Sequence, residues 1–256
     1  MRPAAALAAC ALLAACATAG APPPSPTVSG YLDAAAIEAM ANGFGTPPPS
    51  PSLWTEDLYP YSDRWWLATA HAELRPPEAA QHFDCALGTR LAAKPRPALT
   101  RLMNRLLVDS AAVASRMAEL HPRSRPIAVD RDLQPCQRID AATRDTPSWP
   151  AAAAVAGTAY GELFAELAPD RAEAARFIGG ELGSSRVVCR MNWPQDVAAG
   201  TRAGRRVYAT AHETADFRAD LEAARAEIAA ARVEGLSSPA CAAERRALGP
   251  MPGEAR

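Results

Sequence analysis

The stretch AAAAVAGTAYGELFAELA at residues 151–168 leaves little choice of environment. It is apolar on nearly every side, so as a helix it belongs in the middle of a core rather than on a surface. The rest of the chain reads as material to pack around it. PRPALTRLMNRLLVDSAAVASRMAEL at 95–120 places apolar residues near i, i+3, i+4 and i+7, the period of a helix with one buried stripe. DRWWLATAHAEL from Asp63, EAAQHFDCALGTRLA after Pro76-Pro77, and the runs beginning DRAEAARFIGG and WPQDVAAG extend the pattern to about residue 233. No alternating strand pattern and no repeat interrupts it. The expected fold class is all-α, a helical bundle.

The ends of the chain are read differently. Arg2 followed by AAALAACALLAAC makes a short apolar segment, too short to span a bilayer as a mature helix. It ends in Leu13-Ala14-Ala15-Cys16, which resembles a bacterial lipobox, where the cysteine is lipidated and becomes the new N-terminus. An ordinary signal peptide cleaved after Ala17-Thr18-Ala19 is the alternative, and either reading exports the chain. The expected organisation is a signal peptide over 1–16, a proline-rich tether and N-terminal segment over 17–52, the helical domain over 53–235 and a tail over 236–256. Membrane contact is expected through the lipid anchor only.

Beyond Cys10 and Cys16 four cysteines remain: Cys85, Cys136, Cys189 and Cys241. An even set in an exported chain suggests two disulfides with three possible connectivities, buried free thiols being the alternative. None forms a C-x-x-C pair and no histidine lies at ligand spacing, so no metal site or cofactor is expected. With 27 basic and 28 acidic side chains in 256 residues there is no net charge to attract nucleic acid, and none is expected as a partner.

Three widely spaced motifs carry the functional reading. Arg125-Pro126 stands in HPRSRPIAVD, Pro150 opens PAAAAVAG, and Ser185-Arg186 precedes Asn192 and Asp196 in SSRVVCRMNWPQDVAAG. Their order and spacing resemble the class A bacterial non-specific acid phosphatases of the type 2 phosphatidic acid phosphatase superfamily, related in fold to vanadium haloperoxidases. The family pattern runs K-x6-R-P, then P-S-G-H, then S-R-x5-H-x3-D, and the likeness extends over roughly residues 45–235. It implies a helical bundle of that type and a site for phosphomonoesters. In the family, the lysine, both arginines, the serine and a glycine amide hold phosphate. The last histidine attacks phosphorus, the aspartate orients it, and the P-S-G-H histidine protonates the leaving alcohol.

Carried over residue by residue, the resemblance gives Arg125, Ser185 and Arg186 as the phosphate cradle. The lysine position holds Ala118. P-S-G-H has become Pro150-Ala151-Ala152-Ala153, so the general-acid position is Ala153, and the nucleophile position is Asn192. Asp196 is left with no imidazole to orient, and also fits a helix start after Trp193-Pro194, where a carboxylate favours the dipole. Losing a general acid costs about 10²–10⁴ in rate and losing a covalent nucleophile on the order of 10⁶. The implied protein is an exported, catalytically degenerate acid-phosphatase homologue that binds phosphate, a phosphorylated ligand or a protein partner. The alternative is an active periplasmic phosphatase with a rearranged site. His121 sits a turn before Arg125 but before Pro122, and reads as a surface residue. His71, His82 and His212 read as exposed or capping, and Arg123 as solvated.

Overall fold

Alanine is the best intrinsic helix former, and a run of alanines with no polar face favours a helix that other helices enclose. In the computed structural model, which describes residues 28–48 and 59–253, that helix is α7 (Ala152–Leu167), with 13 of its 16 residues buried. Ten further helices accompany it: α1 (Ala34–Asn42), α2 (Asp63–Ala70), α3 (Asp84–Leu87), α4 (Pro97–Leu120), α5 (Pro126–Val129), α6 (Ala141–Asp145), α8 (Ala172–Val188), α9 (Pro194–His212), α10 (Ala215–Val233) and α11 (Cys241–Leu248). Among the described residues there is no strand, so the all-α expectation stands. None of these helices is long and apolar enough to cross a membrane.

Close packing around α7 depends on residues without side chains. A Cβ on Gly157 would lie 2.7 Å from the Gly179 carbonyl oxygen of α8, and one on Gly200 of α9 would lie 2.6 Å from the Ala151 carbonyl oxygen. Both are closer than carbon and oxygen tolerate, so α7 meets α8 and α9 backbone to backbone at these points. On its other flank α7 meets α4, whose buried stripe comprises Leu99, Leu102, Met103, Leu106, Val113 and Met117. Burying each such side chain stabilises the fold by about 1.5–3 kcal/mol. The stripe also contains a buried acid, Asp109, whose Oδ2 and Oδ1 accept the backbone N–H groups of Tyr31 and Leu32 at 2.8 and 3.1 Å. That pair of bonds fixes the approach to α1, whose Met40 and Ala41 are buried in the main core.

The packed body therefore extends on both sides of the 53–235 span expected from sequence. α1 lies within the segment read as tether, and α11, within the segment read as tail, packs on α2. Two disulfides staple the fold: Cys85–Cys241 holds α11, and Cys136–Cys189 joins the loop after α5 to the end of α8, with Cα atoms 5.4 and 4.7 Å apart. They close loops of 156 and 53 residues, worth about 4–5 kcal/mol each on the chain-entropy account. The signal segment, Cys16 and most of the proline-rich tether lie outside the described residues.

Candidate functional site

Three helix ends and the loops beside them converge on one open cleft of about 690 Å³. The last turns of α4 contribute Ala114 and Ala118, the loop after it Pro122 and Arg125, the start of α7 Pro150, Ala152 and Ala153, the end of α8 Arg186, and the α8–α9 loop Asn192. Motif positions up to 74 residues apart, from Ala118 to Asn192, thus share one cavity. Each helix ends there for a local reason. Pro122 follows the C-cap His121 of α4, Pro126 and Pro194 begin α5 and α9, and Pro150 precedes the cap of α7.

The two arginines carry the charge of the cleft. Arg125 donates through Nε and Nη2 to the Thr146 hydroxyl at 3.0 and 2.9 Å, and through Nη1 to the Met191 carbonyl at 2.8 Å. The Arg186 guanidinium has no hydrogen-bond or ion-pair partner among the described residues, while its backbone carbonyl accepts the Met191 and Asn192 N–H groups at 2.9 and 3.3 Å. Burial, and then the charge of Arg125, push its pKa down to about 10, so it is still charged at neutral pH. Burial lowers Arg125 as well, against the opposing charge of Asp196. No carboxylate lies within ion-pairing distance of either arginine among the described residues.

Asn192 and Asp196, at the positions of nucleophile and orienting acid, are tied into the scaffold. Asn192 is buried, and its Nδ2 donates to the Ser148 carbonyl at 2.6 Å. Asp196 is wholly buried in the first turn of α9. Its Oδ2 accepts the Trp193 N–H at 2.8 Å, closing a capping box, and its Oδ1 accepts from Arg123 Nη1 at 3.0 Å. Burial raises the Asp196 carboxyl above the usual aspartate range, opposed by bonds from Trp193, Ser148 and Arg123. The Ser148 N–H donates to the Arg123 carbonyl at 2.7 Å, and the Trp193 indole donates to the Ser124 carbonyl at 2.9 Å. Together these bonds clamp the Arg125 loop and the segment before α7 onto the start of α9. Arg123, expected to be solvated, instead keeps only 11% of its side chain exposed and pairs with Asp196.

Ser185 departs furthest from expectation. Its hydroxyl is wholly buried, accepts from Arg64 Nη1 at 2.9 Å and lies 2.8 Å from His71 Nδ1, and the residue does not line the cleft. Residues one apart on a helix point about 100° apart, so α8 turns Arg186 toward the cleft and Ser185 toward α2. His71 caps the C-terminus of α2, as one of its two readings has it, but it is not exposed. The residue is buried, its ring centroid is 5.1 Å from that of His82, and burial followed by the charges of His82 and Arg64 pushes its pKa down to about 3. His82 is half-buried, with Nε2 2.8 Å from the Glu73 carbonyl. Arg64 completes this buried group through an ion pair with Glu181 at 2.7 Å. His212 does end a helix, at the C-terminus of α9.

No protein-family model matches the chain. It is 34% identical over 172 residues to an acid phosphatase of Zymomonas mobilis, an alignment spanning 67% of this chain and 65% of that protein. A non-specific acid phosphatase of Providencia stuartii is 29% identical over 164 residues, 63% of this chain and 66% of its own length. One from Salmonella typhimurium is 28% identical over 169 residues, 65% of this chain and 67% of its own. The chain spans just under two thirds of the length of the first two relatives. Over about two thirds of its own length it is similar to bacterial acid phosphatases.

Proposed function

We propose that the chain is an exported acid-phosphatase homologue that binds a phosphorylated ligand in the cleft without hydrolysing it. The observation that carries this reading is the pairing of two arginines, neither of them in an ion pair with a described carboxylate, with alanine and asparagine at the two positions where chemistry is expected. Guanidinium groups held in a concave, partly desolvated site favour an anion between them. Phosphoryl transfer needs in addition an attacking group and a proton donor. Asn192 offers an amide already bonded to Ser148, and Ala153 offers a methyl group. None of the four histidines lines the cleft.

Export through residues 1–16, with a lipid on Cys16, belongs to the same proposal. Two intramolecular disulfides support it, because such bonds persist in oxidising compartments. Hydrolysis of p-nitrophenyl phosphate, followed from about pH 4 to pH 8, tests the absence of turnover. The expected rate is on the order of 10⁴-fold or more below that of a relative with both histidines. A rate within about tenfold of such a relative would overturn the proposal in favour of an active enzyme with a rearranged site.

A further inference from the structure

The cleft is larger and more apolar than an inorganic anion requires. By the share of about 30 Å³ per water in the liquid, a bare phosphate displaces roughly 100 Å³. That is a small part of the 690 Å³ available. Alkyl side chains face much of the remainder: Ala72, Leu74, Ala114, Ala118, Pro147 and Ala153 all line it. Two of these, Ala118 and Ala153, stand at positions where the resemblance implies lysine and histidine. The substitutions that remove the chemistry therefore also convert polar surface into methyl surface. Ser115, Glu119, Gln137, Thr146 and Asn192 supply the remaining polar lining; Thr146 and Asn192 are bonded to Arg125 and Ser148, and Glu119 to Arg116 at 2.9 Å. A carboxylate there disfavours a second negative group on the ligand.

Resting on the reading of the cleft as a phosphate site, we infer that its ligand is amphiphilic: a single terminal phosphate on an apolar body, with the head on Arg125 and Arg186 and the body against the alanine, proline and leucine wall. Neither part alone accounts for the site. Bare phosphate leaves the alkyl wall wet, and a neutral hydrocarbon leaves the arginines without a counter-charge. Each methylene taken from water onto such a wall adds about fourfold in affinity when fully covered.

Calorimetry on the whole protein with three probes of matched head group tests this: inorganic phosphate, glycerol 3-phosphate and phenyl phosphate. Phenyl phosphate is expected to bind at least about tenfold more tightly than the other two, with a more negative heat-capacity change. Equal affinities for all three would overturn the amphiphilic ligand while leaving phosphate binding in place. No binding by any probe would overturn both. Ala118→Gln tests the wall itself, since Ala118 is half-exposed on α4 and the longer side chain can be accommodated. This change should cut the preference for phenyl phosphate over phosphate by about threefold or more. A preference that survives Ala118→Gln in full, or that survives Arg186→Ala, would place the aromatic ring elsewhere and overturn the inference.

Discussion

Two groups of arginines in this molecule are built on opposite electrostatic plans. In the first, Arg101 and Arg105 of α4 converge on Asp220 of α10 at 2.8 and 3.1 Å, and the Tyr31 hydroxyl donates to the same carboxylate at 2.8 Å. Arg105 also reaches Asp216 and lies 3.9 Å over the Tyr31 ring. In the second, Arg125 and Arg186 share the cleft, repel each other and meet no carboxylate among the described residues. The nearest candidate, Asp196, spends its hydrogen bonds on Arg123 and the Trp193 N–H. Charge that is matched inside the fold holds helices together. Charge left without an ion-pair partner at a cavity costs stability and, on the reading proposed above, is a place for an anion.

The largest way to break the contrast is to give the cleft back its chemistry. Ala118→Lys, Ala151→Ser, Ala152→Gly, Ala153→His and Asn192→His together should raise phosphomonoester hydrolysis by roughly 10³-fold or more. Adding Arg123→Ala should raise it further, because Asp196 is then free to orient the new imidazole. Asn192→His alone should do little, since it also removes the Asn192–Ser148 bond. A folded multiple variant with no gain in turnover would show that the cleft geometry does not support the chemistry.

A smaller effect separates the two arginine groups by stability. Asp220→Ala should cost about 2 kcal/mol in urea denaturation, less than the full penalty for a buried pair because half of Arg101 faces solvent. Arg186→Ala should cost less than about 1 kcal/mol or stabilise the protein, since it removes a buried charge with no partner. Similar losses for both variants would mean that Arg186 has a structural counter-charge after all.

The smallest difference is one of sign. Burial alone would raise the Asp220 carboxyl, but bonds from Arg101 and Tyr31 and the arginine charges outweigh it and hold it below the ordinary aspartate value. Its stabilisation is present above the unfolded pKa of about 3.9 and is lost as pH falls through the folded value. The gap between wild type and Asp220→Asn should therefore close in acid. Asp196 is raised by burial, so its contribution declines as pH climbs from the ordinary aspartate value through the folded one. The gap to Asp196→Asn should narrow as pH rises, the opposite slope. Parallel slopes in pH-dependent denaturation would contradict the assignment of these two environments.

Much of this architecture is legible in the sequence because it is periodic or motif-bound. The apolar run of α7 and the stripe of α4 announce buried helices, and a shared cavity for Arg125, Pro150, Arg186 and Asn192 is what the resemblance to the phosphatase family implies. The orientation of neighbours on one helix was less legible. Ser185 and Arg186 are adjacent in the motif, yet α8 sends the hydroxyl to His71 and Arg64, more than a hundred residues earlier in the chain. His71, His82 and Arg123 carry no spacing signal, because their partners come from distant elements that local pattern cannot reveal. Asp109 did leave a trace: an acid on the apolar stripe of α4 signals a buried partner, here the amides of Tyr31 and Leu32. The cysteines allowed three pairings, and it takes the fold, which brings Cys241 at the start of α11 beside Cys85 of α3, to choose among them.

Titration of inorganic phosphate into the wild type and Arg186→Ala, by calorimetry at low salt, bears most directly on the unmatched arginines of the cleft. Wild type should bind with a dissociation constant of about a millimolar, weakening as salt is raised, and Arg186→Ala should bind at least about tenfold more weakly while keeping its fold. No heat of binding in the wild type, or equal binding by both proteins, would contradict the reading of Arg125 and Arg186 as an anion site.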